Sequence, residues 1–313
     1  MNWDGKVYNT DLSNDEVLQD KHLTQLSGKK SPSYLATLCL EGSRPIPVFA
    51  KDFSGRFGGV PETLHQRWVD EVRTLLGVEK IGTCCLVTSD GVWLLMKNLA
   101  ASESYYQEEQ DESGGESERL TYKLIKSATA KDSSEFIDMF KAGIPNVGAY
   151  LKQYGERKFS GEMLREYIRL VLIRYVTETK DTNNRNILVR TRDSRVFSID
   201  ETNPKPREKV DREGNWNGNT HKLFSQVVSG EVHALIQKHI RDHSEEWVEE
   251  LNRWKEAATE VQELKERLAG DEEEGSGSKG KGVRSREVET RFKARVEELI
   301  RGVGKFAKKL ETK

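Results

Sequence analysis

Residues 181–186 read DTNNRN, and the apolar Ile187, Leu188 and Val189 follow them. Fourteen residues after Asn186, an isolated acid closes the run Phe197-Ser198-Ile199-Asp200. Asp181, Asn186 and Asp200 therefore bracket two short β-branched runs, and a hairpin built from those runs would gather three oxygen-bearing side chains at its ends. Phosphoryl transfer from ATP needs such a set. One carboxylate receives or orients the attacking hydroxyl, while an amide oxygen and a second carboxylate hold Mg2+ against the phosphates. The plainer alternative is an Asx-rich turn, because Asp and Asn hydrogen-bond their own backbone locally. Order, spacing and strand context together favour the site.

The elements that would position these residues are legible upstream. Residues 34–40 (YLATLCL) and 46–53 (IPVFAKDF) are β-rich and separated by Glu41-Gly42-Ser43-Arg44, which predicts a hairpin with Lys51 in its second strand. A helix is expected from Thr63 to Leu76, opened by Pro61-Glu62 and closed by Gly77. A second hairpin is expected from Cys84 to Thr88 and Val92 to Lys97, joined by Ser89-Asp90-Gly91. Residues 101–118 carry seven acids and no base, without periodicity, and predict a flexible insert.

Beyond the insert the chain turns helical, with helices expected near 132–142, 146–154 and 160–176, the last apolar almost all round and so central to its lobe. After the 181–200 hairpin comes a polar loop, Thr202 to Asn219, and then helices near 220–240 and 244–269. In the latter, Trp247, Leu251, Trp254, Ala258, Val261 and Leu268 recur at spacings of three and four or their sum. Residues 270–282 (GDEEEGSGSKGKG) form a linker by composition. A last helix near 284–310 aligns Val288, Phe292, Val296, Leu299, Val303, Phe306 and Leu310 on one stripe. The expected organisation is a sheet-plus-helix region over 1–100, the acidic insert over 101–118, a helical region with the hairpin over 119–269, the linker over 270–282 and a basic amphipathic helix over 283–313.

A β lobe with an inward lysine, a helix, a second hairpin, a connector, a helical lobe and an Asp, Asn, Asp hairpin is an order of parts that resembles the kinase-like superfamily. Within it, the chain is most similar to the phosphoinositide-kinase and related atypical branch, whose Asp-Arg-His-x-x-Asn loop is followed by apolar residues and, after a short hairpin, by Ile-Asp-Phe-Gly. The matching residues are Asp181 and Asn186, then Ile199 and Asp200. The resemblance implies an α+β, two-lobed protein-kinase-like fold with a small, mostly β N-lobe and a helical C-lobe. It implies an ATP- and Mg2+-dependent phosphotransferase that passes the γ-phosphate to a hydroxyl-bearing acceptor on a protein, lipid or small molecule.

Carried over residue by residue, the resemblance makes Asp181 the catalytic residue, Asn186 and Asp200 the metal ligands and Lys51 the phosphate contact. Ser27, Gly28 and Lys29, within Leu26 to Ser33, resemble the Ser/Lys/Pro-containing phosphate loop of phosphoinositide kinases. Lys97, Asn98 and Leu99 fall where the adenine-binding hinge would be. The expected partner of Lys51 is Glu71: Leu64, Trp68 and Leu75 form a helical stripe with Glu71 inside it, and a carboxylate on a buried face is costly unless paired. Lys205, Arg207, Lys209 and Arg212 lie where the family's substrate-recognition segment would be.

The sequence also departs from the family pattern. Thr182 and Asn183 stand in place of Arg and His, Glu201-Thr202 in place of Phe-Gly, and the first turn holds a single glycine. These departures motivate a second reading, a catalytically weak or inactive nucleotide-binding scaffold. A third, a nucleic-acid-associated structural protein, rests on the C-terminal segment 279–313, where twelve Lys/Arg outnumber five Glu. That helix either packs against the Trp247/Trp254 helix or meets an anionic partner such as a membrane surface or nucleic acid, and the Phe and Leu in its stripe favour packing.

The 313 residues suffice for a sizeable core. The chain is 33% charged and 35% hydrophobic, and its 50 basic and 52 acidic residues give a near-neutral balance that argues against a general polyanion binder. Mean hydropathy is -0.72, polar enough that part of the length is solvated helix or loop. Cys39, Cys84 and Cys85 are too few and too badly spaced for a disulfide framework or a zinc site and are expected as buried thiols. His239 and His243 stand four apart, a metal-compatible spacing without further ligands, and are expected on a solvated face. No signal-like N-terminus or membrane-length apolar run is present, so a cytoplasmic or nuclear protein is expected.

Overall fold

The hairpins expected over 34–53 and 84–97 form where alternation and turn chemistry place them. In the computed structural model, which describes residues 4–24, 32–54, 59–99, 136–137, 144–179, 186–199, 231–273 and 286–311, the protein is α+β, with a mixed sheet and several helices. Strands β1 (Asp4–Asn9), β2 (Leu18–Thr24), β3 (Ser33–Leu38), β4 (Ile46–Asp52), β5 (Thr83–Val87), β6 (Val92–Lys97) and β7 (Phe136–Ile137) make one seven-stranded sheet. Their order is β1-β5-β6-β4-β3-β2-β7. Strands β2 to β6 pair antiparallel, while β1 joins β5 and β7 joins β2 in parallel. Gly42, at φ 73°, supplies the left-handed residue between β3 and β4.

Two hydrophobic layers cover the two faces of the sheet, as period-two alternation requires. Leu35, Phe49, Phe53, Leu94 and Met96 share one layer, whereas Ala36, Val48, Ala50, Trp93 and Leu95 share the other. The one-turn helix α1 (Asn14–Val17) delivers Val17 to the second layer. Asn14 anchors that turn: its Oδ1 accepts from Trp93 Nε1 at 2.6 Å and from Thr88 Oγ1 at 2.5 Å, and its backbone N–H donates to Asp90 Oδ1 at 2.8 Å.

The remaining helices are α2 (Gly59–Leu75), α3 (Val147–Tyr154), α4 (Gly161–Val176), α5 (Glu231–Asp242), α6 (Ser244–Glu256), α7 (Ala258–Glu273) and α8 (Arg286–Glu311). Two further strands, β8 (Ile187–Arg190) and β9 (Arg195–Ser198), form a separate antiparallel hairpin. The chain divides into two compact units. The first holds residues 1–67, 81–153 and 185–199, and so the sheet and the β8–β9 hairpin; the second holds 68–80, 154–184 and 200–313 and is helical among its described residues.

Several expectations need correction. The helix placed near 132–142 is replaced at Phe136–Ile137 by β7, whose residues pair with Leu23 and Thr24. The single helix expected over 244–269 is two, α6 and α7, meeting at Ala257, and α7 continues through Gly270 to Glu273, into the stretch expected as linker. The hairpin, expected with the helical region 119–269, groups with the sheet, because Leu188, Phe197 and Ile199 enter the sheet's first hydrophobic layer. The acidic insert 101–118 lies outside the described residues.

In the helical unit, α4 is buried almost all round, with twelve buried residues among its sixteen. Trp247, Leu251 and Trp254 of α6, Ala258 and Val261 of α7, and Phe292, Val296, Leu299 and Val303 of α8 are all buried. Helix α8 packs chiefly along α6, with further contacts to α4, α5 and α7, and buries Phe292, Val296, Leu299 and Val303 of its stripe. No helix among the described residues is long and apolar enough to cross a membrane.

Candidate functional site

The describable part of the site lies in the first unit, between the sheet and the β8–β9 hairpin. Lys51 is on β4, opposite Ser33 of β3 and Leu94 of β6, so it stands mid-sheet rather than at an edge. It is 5% exposed, and its ammonium lies 5.4 Å from the centroid of the Phe53 ring. Alternation along β4 puts Phe49, Lys51 and Phe53 on one face, and Phe49 and Phe53 belong to the layer that receives Leu188, Phe197 and Ile199.

The hairpin is held at both ends. Ile187 pairs with Ser198, Leu188 with Phe197, Val189 with Val196 and Arg190 with Arg195. At the turn, Arg190 grips Asp193 through Nε to Oδ1 at 3.0 Å and Nη2 to Oδ2 at 2.6 Å, and its guanidinium lies 4.8 Å from the Phe197 ring. Burial raises the Asp193 pKa, but the hydrogen bond and charge of Arg190 outweigh it and leave the carboxyl below its ordinary value. At the open end, Ile199 N–H donates to Asn186 O at 2.8 Å. The chain before α3 lies along the outer side of β8, with Val189 N–H donating to Pro145 O at 2.8 Å and Asn146 bridging Leu188. Asn146 Oδ1 then accepts from Ala149 N–H at 2.9 Å and starts α3.

The structure treats the sequence-derived residues unevenly. Asn186 is half-buried at the open end of the hairpin. Lys97 ends β6, its N–H donating to Gly82 O at 3.0 Å; Asn98 is buried, and Leu99 belongs to the same hydrophobic layer as the hairpin. Asp181, Asp200, Ser27, Gly28 and Lys29 lie outside the described residues, as do Lys205, Arg207, Lys209 and Arg212.

Glu71 does not follow the expectation. Its ion-pair partner is Lys80, not Lys51, and it keeps partial exposure. The buried carboxylate of α2 is Asp70, paired with the equally buried Arg73 at 2.7 Å. Of the expected stripe, Trp68 is buried and Leu75 half-buried, and Val69, Val72 and Leu76 are buried as well, so the helix is covered on more than one face.

The donor set expected for Mg2+, the Asn186 amide and the Asp200 carboxylate, offers hard oxygen ligands that suit this ion in chemistry. Among the described residues, no group of three or more His, Cys, Asp or Glu side chains is arranged to hold a metal. Phe49, Phe53, Leu94, Met96 and Leu99 are buried in one apolar layer, and Lys51 lies on the same face of β4 as Phe49 and Phe53. The sequence matches no protein-family model and no curated protein.

Proposed function

We propose that the protein is an ATP- and Mg2+-dependent phosphotransferase of two-lobed, kinase-like architecture. One observation carries the reading: the strand that bears Lys51 and the hairpin that bears Asn186 meet in a single hydrophobic layer, through Phe49 and Phe53 on one side and Leu188, Phe197 and Ile199 on the other. Two sequence features chosen for their chemistry, and separated by more than a hundred residues, belong to one piece of structure.

In this reading Lys51 binds a phosphate oxygen of the nucleotide, and the residues at the end of β6, Lys97 to Leu99, meet the base. Asp181 orients the acceptor hydroxyl and takes its proton. Asn186 and Asp200 hold Mg2+, which when bound offsets the negative charge of the phosphates. Such catalysis is chiefly positioning and charge stabilisation, so a hairpin fixed at both ends suits it.

A second reading, nucleotide binding without transfer, is favoured by the departures from the family pattern, Thr182 and Asn183 in place of Arg and His and Glu201-Thr202 in place of Phe-Gly. Thermal unfolding of the purified protein with Mg2+ and ATP, beside the Asp200→Ala protein, tests both readings. Stabilisation of the wild type alone, with phosphate transfer, supports the phosphotransferase. Stabilisation without transfer supports the second reading, and no stabilisation in either protein overturns both.

A further inference from the structure

The sequence sets His239 and His243 one helical turn apart, and the structure gives the pair more than a solvated face. His239 is half-buried in the last turn of α5, and the exposed His243 caps α6, so the two imidazoles straddle the junction of the helices. His243 N–H donates to His239 O across that junction at 3.1 Å. The ring centroids lie 4.6 Å apart, with the planes at 79° to each other. Edge-to-face packing alone would account for this contact, but it does not account for the ring nitrogens.

His243 Nδ1 lies 3.0 Å from Glu246 Oε1. With Nδ1 as the donor, the tautomer leaves the Nε2 lone pair to act as a ligand, and a carboxylate behind the ring is the usual orienting group of a metal-bound histidine. His239 Nε2 is buried and meets no hydrogen-bond partner among the described residues. A buried nitrogen left unpaired is costly, and a coordinated ion would satisfy it. Two imidazoles bound cis to one ion, each nitrogen about 2.1 Å from it, have their centroids roughly 4.5–5 Å apart, which matches the separation of this pair. Asp242 and Glu246 place negative charge near His239; Arg165 opposes them, and is itself paired with Glu246 at 2.9 Å and Glu250 at 3.3 Å. Burial, with His243 and Arg165, holds the His239 pKa below its ordinary value, so the ring is neutral and ready to ligate near pH 7. No third His, Cys, Asp or Glu joins the pair among the described residues, so the site is an open one.

We propose that His239 and His243 form a two-histidine site for a divalent transition-metal ion of the imidazole-preferring kind, Zn2+, Ni2+ or Cu2+, with water completing the coordination. The bound ion clamps α5 to α6 at their junction. Glu246 is a positioning residue that acts through His243. The inference is independent of the phosphotransferase reading, whose Mg2+ takes oxygen ligands.

Calorimetric titration of the metal-free full chain with Zn2+ tests the site, beside His239→Gln, His243→Gln and Glu246→Gln. The expected result is an ion whose affinity falls about tenfold or more in each histidine variant and about tenfold in Glu246→Gln. Zn2+ should raise the melting temperature of the wild type and not of the histidine variants. Without metal, Glu246→Gln should melt as the wild type does, since a purely structural role would lower that temperature. His243 is exposed, so His243→Gln keeps the fold, checked by circular dichroism, even if replacing the half-buried His239 does not. Wild-type affinity in His243→Gln would overturn the inference. So would a folded His239→Gln that binds Zn2+ as the wild type does, which would leave a single surface histidine, and so would a wild-type chain that binds no Zn2+.

Discussion

The carbonyl of Asn186 accepts the N–H of Ile199 at 2.8 Å, and this bond closes the β8–β9 hairpin at its open end. The contact is backbone to backbone, so it fixes the spacing between Asn186 and the residue that precedes Asp200 without using the Asn186 amide. Ile199 is itself buried in the layer shared with Phe49, Phe53 and Leu94, which ties the open end of the hairpin to the sheet.

Asn186→Ala should therefore keep the hairpin and lose the amide oxygen. The expected change in folding stability by urea unfolding is under about 1 kcal/mol. Phosphate transfer should fall by about a hundredfold or more. Undiminished transfer would remove Asn186 from the site.

Asp70 and Arg73 form a buried ion pair at 2.7 Å, and removing either charge takes that contact out of the interior. Asp70→Asn or Arg73→Met should each destabilise by about 3–5 kcal/mol in denaturant titrations. A loss under 1 kcal/mol, roughly the worth of an exposed pair, would show that the site is wetter than its burial implies.

Asn14 satisfies the Trp93 indole and the Thr88 hydroxyl with one oxygen. Asn14→Ala leaves the indole N–H unpaired against a buried core and should cost about 1–3 kcal/mol. The midpoint of urea unfolding followed by circular dichroism is the readout, and a wild-type midpoint would count against the network.

His239 carries a pH dependence of defined sign. Burial lowers its pKa from the ordinary imidazole value of 6.5, and His243 and Arg165 add to the lowering against Glu246 and Asp242. A folded-state pKa below the unfolded one means the unfolded chain binds the proton more readily. The contribution of His239 is thus fully present above pH 6.5 and is lost as pH falls from there through the depressed folded value. Melting temperatures measured from pH 8 down to 5 should fall less steeply for His239→Gln, and parallel curves would refute the assignment.

What the sequence revealed was local. The β3–β4 and β5–β6 hairpins are joined by short turns and built from β-branched and apolar residues, so their pattern is complete within each segment. β1 and β2 were not legible, since Asp4–Asn9 and Leu18–Thr24 are polar and take their strand character from pairing across the sheet. β7 was hidden for the same reason, being two residues that pair with a strand more than a hundred positions away. Of the candidate site, the place of Lys51 on β4 and the β8–β9 hairpin were legible from residue type and spacing. The partner of Glu71 was missed because Lys80 sits in a loop, where periodicity gives no direction, and because α2 is buried on so many sides that its stripe fits more than one phase.

The first unit is assembled from three separate stretches of chain, and its third stretch, 185–199, delivers Leu188, Phe197 and Ile199 to a core begun by β3 and β4. During synthesis on the ribosome the sheet must wait, with one face uncovered, until nearly two hundred residues have emerged. The helical stretch 154–184 is made inside that interval and belongs to the other unit. The first unit is complete only once residue 199 has emerged, so fragments ending before the hairpin should aggregate through the exposed layer of Phe49, Phe53 and Leu94.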